Sequence, residues 1–250
     1  MMSLTKVSLI DIVKKQYVYK LKAYSQVFIS LIFIQILAVF FSLNGVGSMG
    51  TSSGSIQIYV KYFSADFVVG FTMLWGFITA IVITTKAYRN DDFIFVTNRV
   101  SSNLSNTVFL LIASVIGGIT AMLSTYLINV IVYYFISDFA LKSTTLWDMP
   151  IEFLNGIFST ILYVFLFCAL GYLVGTLVQI NKVFAVLLPA AFFGGLIFDG
   201  LSGKTGVITK VFEFYFTEPS LALFIVKIIM SAGLLFIGAF ALSNKREVRS

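Results

Sequence analysis

Apolar residues fill six long runs of this chain, and short polar stretches separate them. The runs are residues 24–43, 66–85, 107–136, 153–178, 183–198 and 220–242. A helix rises about 1.5 Å per residue, so about twenty residues cross the hydrocarbon core of a bilayer. The third run, about 45 Å long as a helix, must tilt or protrude. The pattern predicts an all-α membrane protein with six transmembrane helices in one transmembrane domain, residues 1–250.

The N-terminal residues 1–22 combine an apolar stripe with five lysines. The stripe recurs at three- and four-residue spacing: Leu4, Val7, Ile10, Val13 and Tyr17. An amphipathic helix of this kind lies in the headgroup layer, with its stripe in the acyl boundary and its lysines towards anionic lipid. We therefore expect an interfacial helix here, with a frayed basic leader as the alternative.

Three connecting stretches carry local signals. Residues 44–55 are rich in Gly and Ser without any charge, which predicts a flexible loop. Only residues 179–182 separate spans four and five, which predicts a tight antiparallel pair. Residues 207–216 are amphipathic, with Lys210 and Glu213 among apolar side chains. They predict a short interfacial helix before the last span.

Basic residues are distributed unequally between the two sides of the predicted bundle. With both termini inside, the cytoplasmic side holds twelve: Lys6, Lys14, Lys15, Lys20, Lys22, Lys86, Arg89, Arg99, Lys182, Lys245, Arg246 and Arg249. The other side holds four: Lys61, Lys142, Lys204 and Lys210. The positive-inside rule therefore predicts that the N- and C-termini are cytoplasmic.

Composition agrees with this class and excludes others. The chain is 59% hydrophobic and only 11% charged, whereas roughly a quarter of residues are charged in soluble domains. The net charge of +6 is spread over several loops without a groove-binding pattern, so nucleic acid is not an expected partner. The single cysteine, Cys168, cannot form an internal disulfide. The absence of histidine excludes histidine-based catalysis and Cys/His metal clusters, so we expect neither an enzyme nor a metal cofactor.

The longest polar interruption in the first half of the chain, residues 86–106, also carries bulky apolar side chains. Asp91 and Asp92 precede the apolar run Phe93 to Val96, and Arg99 follows it. A connector without a partner has no need of such side chains, which must be hidden somewhere. The segment is therefore interpreted as a docking element at the cytoplasmic face.

A few polar or small residues within the spans are functional candidates. Lys227 lies about seven residues into span six, and an intramembrane lysine is a functional candidate by default. Its alternative is snorkelling to Glu218 or Asp199. Gln35 and Asn129 are candidates for a translocation pathway, with interhelical hydrogen bonding as the alternative.

Small residues recur at four-residue spacing in three spans, which allows close helix packing within the chain or against another subunit. These positions are Ala113, Gly117, Ala121 and Thr125 in span three, Gly171 and Gly175 in span four, and Ala190, Gly194, Ala191 and Gly195 in span five.

Taken together, this layout resembles an ABC-2 type permease, the membrane subunit of a type V ABC exporter. The resemblance rests on the N-terminal amphipathic helix, six spans with both ends inside, and the charged and aromatic segment between spans two and three. The tight turn between spans four and five and the helical piece before span six complete it. It covers essentially the whole chain.

The resemblance implies a dimer of permease subunits, each docked on a separate ATPase subunit that binds ATP and Mg. Residues 90–99 map onto the family's coupling helix. By this mapping the docking residues are Asp91, Asp92, Phe93, Phe95, Asn98 and Arg99, with the aspartates and Arg99 pairing with charged groups of the ATPase cleft and the phenylalanines filling it. Many relatives carry a proline just after this helix. The present chain has Thr97, Asn98 and Arg99 instead, which leaves the helix boundary open.

The cargo implied by the resemblance is an amphipathic or cytolytic peptide. Small permeases of this size are similar to exporters of phenol-soluble modulins and of bacteriocins, in the plasma membrane of bacteria. Export of lipid, drug or polysaccharide is the alternative within the family. A non-transporting membrane immunity or scaffold protein has the same topology. A secondary transporter is disfavoured because no acid lies centrally and the two halves show no internal similarity.

Overall fold

The computed structural model describes residues 9–53, 56–88, 99–135, 150–202 and 206–244. These residues form eight helices and one β-hairpin. In chain order they are α1 (Leu9–Ala23), α2 (Ser25–Ser42), β1 (Gly47–Ser53), β2 (Ile56–Tyr62), α3 (Asp66–Ile83), α4 (Arg99–Phe135), α5 (Pro150–Ile180), α6 (Phe184–Ser202), α7 (Val207–Phe216) and α8 (Leu221–Asn244).

Six of these helices are long and apolar enough to cross a membrane, namely α2, α3, α4, α5, α6 and α8. The prediction of a multi-pass, predominantly helical membrane protein is thereby confirmed. The helices begin and end within a few residues of the predicted spans, except for α4. This helix begins at Arg99, well before the predicted residue 107, and its 37 residues give a length of about 55 Å. Its first two turns thus belong to the stretch that was predicted to be a polar connector.

Helix α5 lies at the centre of the bundle, where α3, α4 and α8 pack against it. Its glycines permit the closest approach. A Cβ added to Gly171 would lie 2.2 Å from the carbonyl oxygen of Phe77, and one added to Gly175 would lie 3.0 Å from the Cα of Ile81. The four-residue spacing in span four therefore serves internal packing against α3.

Helix α6 differs from the other spans because none of the residues in its membrane-length window is buried. The connection from α5 is as short as predicted, with Asn181 accepting a hydrogen bond from the backbone N–H of Val183 at 3.0 Å. Away from this connection α6 makes few contacts with α5. A Cβ added to Gly194 would meet nothing within 4 Å, so this small residue faces outwards.

The predicted flexible loop over residues 44–55 is wrong, and the fold is not wholly α-helical. β1 and β2 pair antiparallel, with Gly47 opposite Tyr62 and Ser53 opposite Ile56. The second strand is rich in β-branched and aromatic residues, which favour extended structure, and it supplies a partner for the Gly/Ser-rich first strand. Gly45, with φ of 86°, allows the turn that leads into the hairpin.

Helix α1 packs against the first turns of α4, and the face that it buries is polar. Val13, Gln16 and Lys20 are buried, whereas Ile10 of the predicted apolar stripe is 75% exposed. The expectation that all of its lysines face lipid is therefore wrong for Lys20. The position of α1 and α7 relative to a bilayer stays a prediction, as does the side of the membrane on which the termini lie.

Candidate functional site

The predicted docking residues fall at the edge of what the structure describes. Asp91, Asp92, Phe93, Phe95 and Asn98 lie outside the described residues, and the backbone of Arg99 opens α4. Both flanks of this segment are described, however. They lie at one end of the bundle, together with α1, and we call this end the α1 end.

The first flank ends at Tyr88, which contacts the junction between α1 and α2. Tyr24 lies at this junction and is 7% exposed. Its ring meets that of Tyr88 edge-on, with centroids 4.7 Å apart, and meets that of Phe109 at 6.1 Å. An edge-to-face arrangement at these distances is favourable for aromatic pairs. The α1–α2 junction is therefore held between Tyr88 and α4.

The second flank is the start of α4, which is polar and yet buried. Its inward-facing side chains are between 0% and 8% exposed: Ser101, Asn103, Ser105 and Asn106. Helix α1 covers this surface. Buried polar groups require hydrogen-bond partners, and α1 supplies one of them.

A chain of hydrogen bonds connects α1, α4 and α5 at this end. Lys20, which is 2% exposed, donates from Nζ to Oδ1 of Asn106. Asn106 donates from Nδ2 to the hydroxyl oxygen of Tyr172 at 3.3 Å, and that hydroxyl donates to Oδ1 of Asn103 at 2.9 Å. We call these four residues the Lys20 chain.

Sequence reasoning missed the Lys20 chain, although two spacings point to it. Gln16 and Lys20 are four residues apart, so they lie on one face of α1 together with Val13. Asn103 and Asn106 are three residues apart and share a face of α4. A polar face on each of two neighbouring helices indicates that the two faces bury each other. The apolar stripe of α1 instead led to the prediction of a helix that faces lipid.

Gln35 lies near the middle of α2 and joins three helices. Its side chain is 8% exposed, and its Nε2 donates to Oγ1 of Thr72 on α3 and to the carbonyl oxygen of Gly117 on α4, both at 3.2 Å. This is the interhelical hydrogen bonding that was the alternative to a pathway role. Asn129 on α4 is half-buried. A role for either residue in translocation stays a prediction.

Lys227 on α8 is occupied by contacts within the chain. Its ammonium donates to a carboxylate oxygen of Glu218 and, at 3.4 Å, to the carbonyl oxygen of Phe214. It also lies 4.2 Å from the centroid of the Phe214 ring, a distance typical of a cation–π contact. The hydrogen bond from Lys227 is the largest cause of a lowered pKa for Glu218. The geometry matches the snorkelling alternative with Glu218 as the partner.

Asp199, the other carboxylate considered as a partner for Lys227, instead anchors the start of α7. Its Oδ2 accepts hydrogen bonds from the backbone N–H groups of Ile208 at 3.0 Å and Thr209 at 3.1 Å. A carboxylate in this place satisfies the unpaired donors of a helix N-terminus and favours its dipole. A Cβ added to Gly206 would lie 1.6 Å from Oδ1 of Asp199, so a side chain at this position would displace the carboxylate.

The far end of α7 is tied to two more helices through Tyr215. Its hydroxyl donates to Oγ of Ser231 on α8 at 2.8 Å, and its carbonyl oxygen accepts from the hydroxyl of Tyr163 on α5 at 2.7 Å. The ring of Tyr163 also stacks on Phe216, with centroids 4.9 Å apart. Helix α7, which has no buried residue, is therefore held by polar and aromatic contacts at both ends.

Within the residues that the structure describes, no group of three or more His, Cys, Asp or Glu side chains is placed to hold a metal ion. Comparisons with protein-family models, with curated proteins and with solved structures find no match to this chain.

Proposed function

We propose that the chain is the membrane-spanning permease subunit of an ATP-driven ABC exporter. In this proposal it has no nucleotide site of its own, works as a dimer in the bacterial plasma membrane, and docks on a separate ATPase subunit that binds ATP and Mg. Residues 90–99 form the docking element, with the roles that the resemblance to ABC-2 permeases implies. The cargo is an amphipathic or cytolytic peptide.

The observation that carries the proposal is the way both flanks of the docking element enter packed structure. Tyr88 packs on Tyr24 at the α1–α2 junction. On the other side, α4 is helical from Arg99, the first residue described after this segment, and its first turns are bonded to α1 and α5 through the Lys20 chain. A partner that grips the docking element would therefore displace several helices together, as a mechanical transmission between subunits requires.

The character of the spans supports an amphipathic cargo. Gln35 and Lys227 both have hydrogen-bond partners within the chain. Large apolar side chains dominate the exposed surfaces of α6 and α8, for example Phe193, Ile197 and Leu234. A polysaccharide would require many hydrogen-bonding side chains along its path, whereas an amphipathic peptide or a lipid would not.

A co-purification experiment tests the docking role. The permease is expressed with the ATPase encoded beside its gene, and the yield of ATPase bound to the permease is measured. We expect the double variant Asp91→Lys/Asp92→Lys to lower this yield at least about tenfold, because the introduced lysines would repel the ATPase groups that pair with the two aspartates. Glu213→Lys, an exposed charge reversal on α7, is the matched control. Equal yields for both variants would contradict the proposal.

A reconstitution experiment separates transport from a scaffold role. The permease and ATPase are placed in proteoliposomes, and ATP hydrolysis and cargo movement are measured with a cytolytic amphipathic peptide, a lipid and a polysaccharide. Stimulation and ATP-dependent movement of the peptide alone support the peptide exporter. Movement of lipid or polysaccharide supports the other exporter classes. An assembled complex that moves none of them supports an immunity or scaffold protein.

A further inference from the structure

The lysines of α1 differ in their exposure. Lys14, Lys15 and Lys22 are exposed, whereas Lys20 is 2% exposed. The long aliphatic stem of a lysine on a surface helix can carry its ammonium to water, so exposure is the inexpensive choice. Burial of an ammonium is unfavourable unless hydrogen bonds compensate for it, and the Lys20 chain supplies them. Lys20 therefore fixes where α1 sits on the bundle.

Two other polar groups in the same region oppose this position. The side chain of Gln16 is 0% exposed, and among the residues that the structure describes neither its Nε2 nor its Oε1 has a hydrogen-bond partner. The hydroxyl of Ser105, next to Asn106 on α4, is likewise buried and has no hydrogen-bond partner within the described part of the chain. Native proteins retain few such groups, because each loses its hydrogen bonds to water without replacement. Gln16 shares the buried face of α1 with Lys20, and Ser105 adjoins Asn106, so separation of α1 from α4 would uncover this part of the interface.

We propose that α1 is a clamp that opens and closes on the start of α4, with Lys20 as the positioning residue of the closed state. The Lys20 chain holds the clamp shut. The unbonded Gln16 amide and Ser105 hydroxyl lower the stability of the closed state, so that α1 can also leave it. The assignment of the opening to the transport cycle rests on the proposed function, since the clamp closes over residues that directly follow the docking element.

The clamp lies beside both flanks of the docking element, so its opening would affect them. Tyr24 follows α1 immediately, donates its backbone N–H to the carbonyl oxygen of Lys20 at 2.9 Å, and packs on Tyr88. Movement of α1 would therefore affect both flanks of the docking element. It would also release Asn106 from Lys20, and with it one end of the chain that reaches Tyr172 on α5.

Cysteine labelling in native membranes tests the clamp without any ATPase. Val13→Cys places a thiol on the buried face of α1, where it reacts with a membrane-permeant maleimide only after α1 separates from α4. The native Cys168 is 0% exposed in the bundle core and provides a silent background. Lys15→Cys, on the exposed face, gives the labelling rate of an unprotected thiol.

The rate at Val13→Cys is compared in three backgrounds. Lys20→Met should raise it at least about tenfold, which is the effect of losing one hydrogen bond to a charged group. Gln16→Leu, which removes both unbonded atoms at similar volume, should lower it about tenfold. Lys14→Met, an exposed lysine of the same helix, should leave it unchanged. Equal rates in the Lys20→Met and Lys14→Met backgrounds would overturn the proposal, as would unchanged or faster labelling with Gln16→Leu.

A second variant covers the case in which Lys20→Met fails to reach the membrane. Tyr172→Phe removes only a hydroxyl from the Lys20 chain and should raise the labelling rate about threefold, because both hydrogen bonds lost, to Asn103 and Asn106, join uncharged groups. Labelling at the wild-type rate would overturn the proposal in that case.

The role in transport is tested by addition of the ATPase with ATP and Mg to the same membranes. A changed labelling rate at Val13→Cys links the clamp to the cycle. An unchanged rate, with the Lys20→Met and Gln16→Leu effects present, refutes the link to transport and leaves the clamp intact. Failure of the proposed function and failure of the clamp therefore give different results.

Discussion

Gly171 of α5 and Gly194 of α6 belong to the same kind of small-residue spacing but have opposite surroundings. In α5, a Cβ on Gly171 would lie 2.2 Å from a backbone oxygen of α3, and this helix is the centre of the bundle. In α6, a Cβ on Gly194 would meet nothing within 4 Å, and the membrane-length window of the helix buries no residue. The spacing thus indicates that a backbone can be approached closely, but not which partner approaches it or whether that partner belongs to the same chain.

The two regions are also stabilised by different forces. Close backbone contact and apolar side chains hold α3, α4, α5 and α8 together around residues such as Val164 and Ile228. The unit formed by α6 and α7 is held by a few directional contacts, chiefly those of Asp199 and Tyr215. The first region should therefore respond strongly to side-chain volume, and the second to the loss of single hydrogen bonds.

The largest effect is expected from added volume in α5. Gly171→Val should lower the free energy of unfolding by about 3 kcal/mol, because its side chain would push α3 away from α5. Gly194→Val, the matched change in α6, should alter it by less than about 0.5 kcal/mol. Equilibrium unfolding in mixed detergent micelles measures both. Similar losses for the two variants would remove the contrast between the regions.

The next effect concerns the start of α7. Asp199→Ala should destabilise this helix by about 1–2 kcal/mol, since two backbone donors lose their acceptor. Hydrogen exchange of the amides of Ile208 and Thr209 should accelerate accordingly, while amides in α5 keep their rates. Gly206→Ala should reproduce the result because its Cβ would displace the Asp199 carboxylate. Unchanged exchange in both variants would show that α7 does not depend on this contact.

A smaller effect is expected at the other end of α7. Tyr215→Phe removes the hydrogen bond to Ser231 and should cost about 1 kcal/mol. Tyr133→Phe is a suitable control, because Tyr133 is 67% exposed. Thermal unfolding in detergent compares the two. A loss with Tyr133→Phe as large as that with Tyr215→Phe would argue against a specific tie between α7 and α8.

The smallest effect should appear as a dependence on pH. The hydrogen bond from Lys227 lowers the pKa of Glu218, so this carboxylate stabilises the folded state above its unfolded pKa of about 4.3. The contribution should fade as the pH falls from there through the lowered value. Glu218→Gln should flatten the change in thermal stability across this window. The same acid-induced loss in the variant and the wild type would assign it to other groups.

Sequence alone was sufficient for the features that depend on length and apolarity. The six long helices and the bounds of α7 at residues 207–216 follow from runs and periodicity, which report local structure directly. The hairpin of residues 47–62 was missed because glycine and serine are loop formers in isolation, and the strand that pairs with them lies further along the chain. Local composition cannot report such a partner.

The candidate site could be predicted only in part. Glu218, the partner of Lys227, was among the predicted alternatives, because an ammonium near the end of a span is stabilised by a nearby carboxylate. The burial of Lys20 was not predicted, since it depends on Asn103, Asn106 and Tyr172 arriving from two distant helices. The roles of the docking residues 91–99 stay predictions.

The length of α4 has a mechanical consequence. From Arg99 to Phe135 it is one unbroken helix without proline, about 55 Å long. A helix without a kink does not bend at a single point, so a displacement at one end is transmitted to the other. A tilt imposed at its first turn would reappear, reversed in direction, at its last turn on the opposite side of the bundle, with the tightly packed middle around Gly117 and Gly118 as the fulcrum.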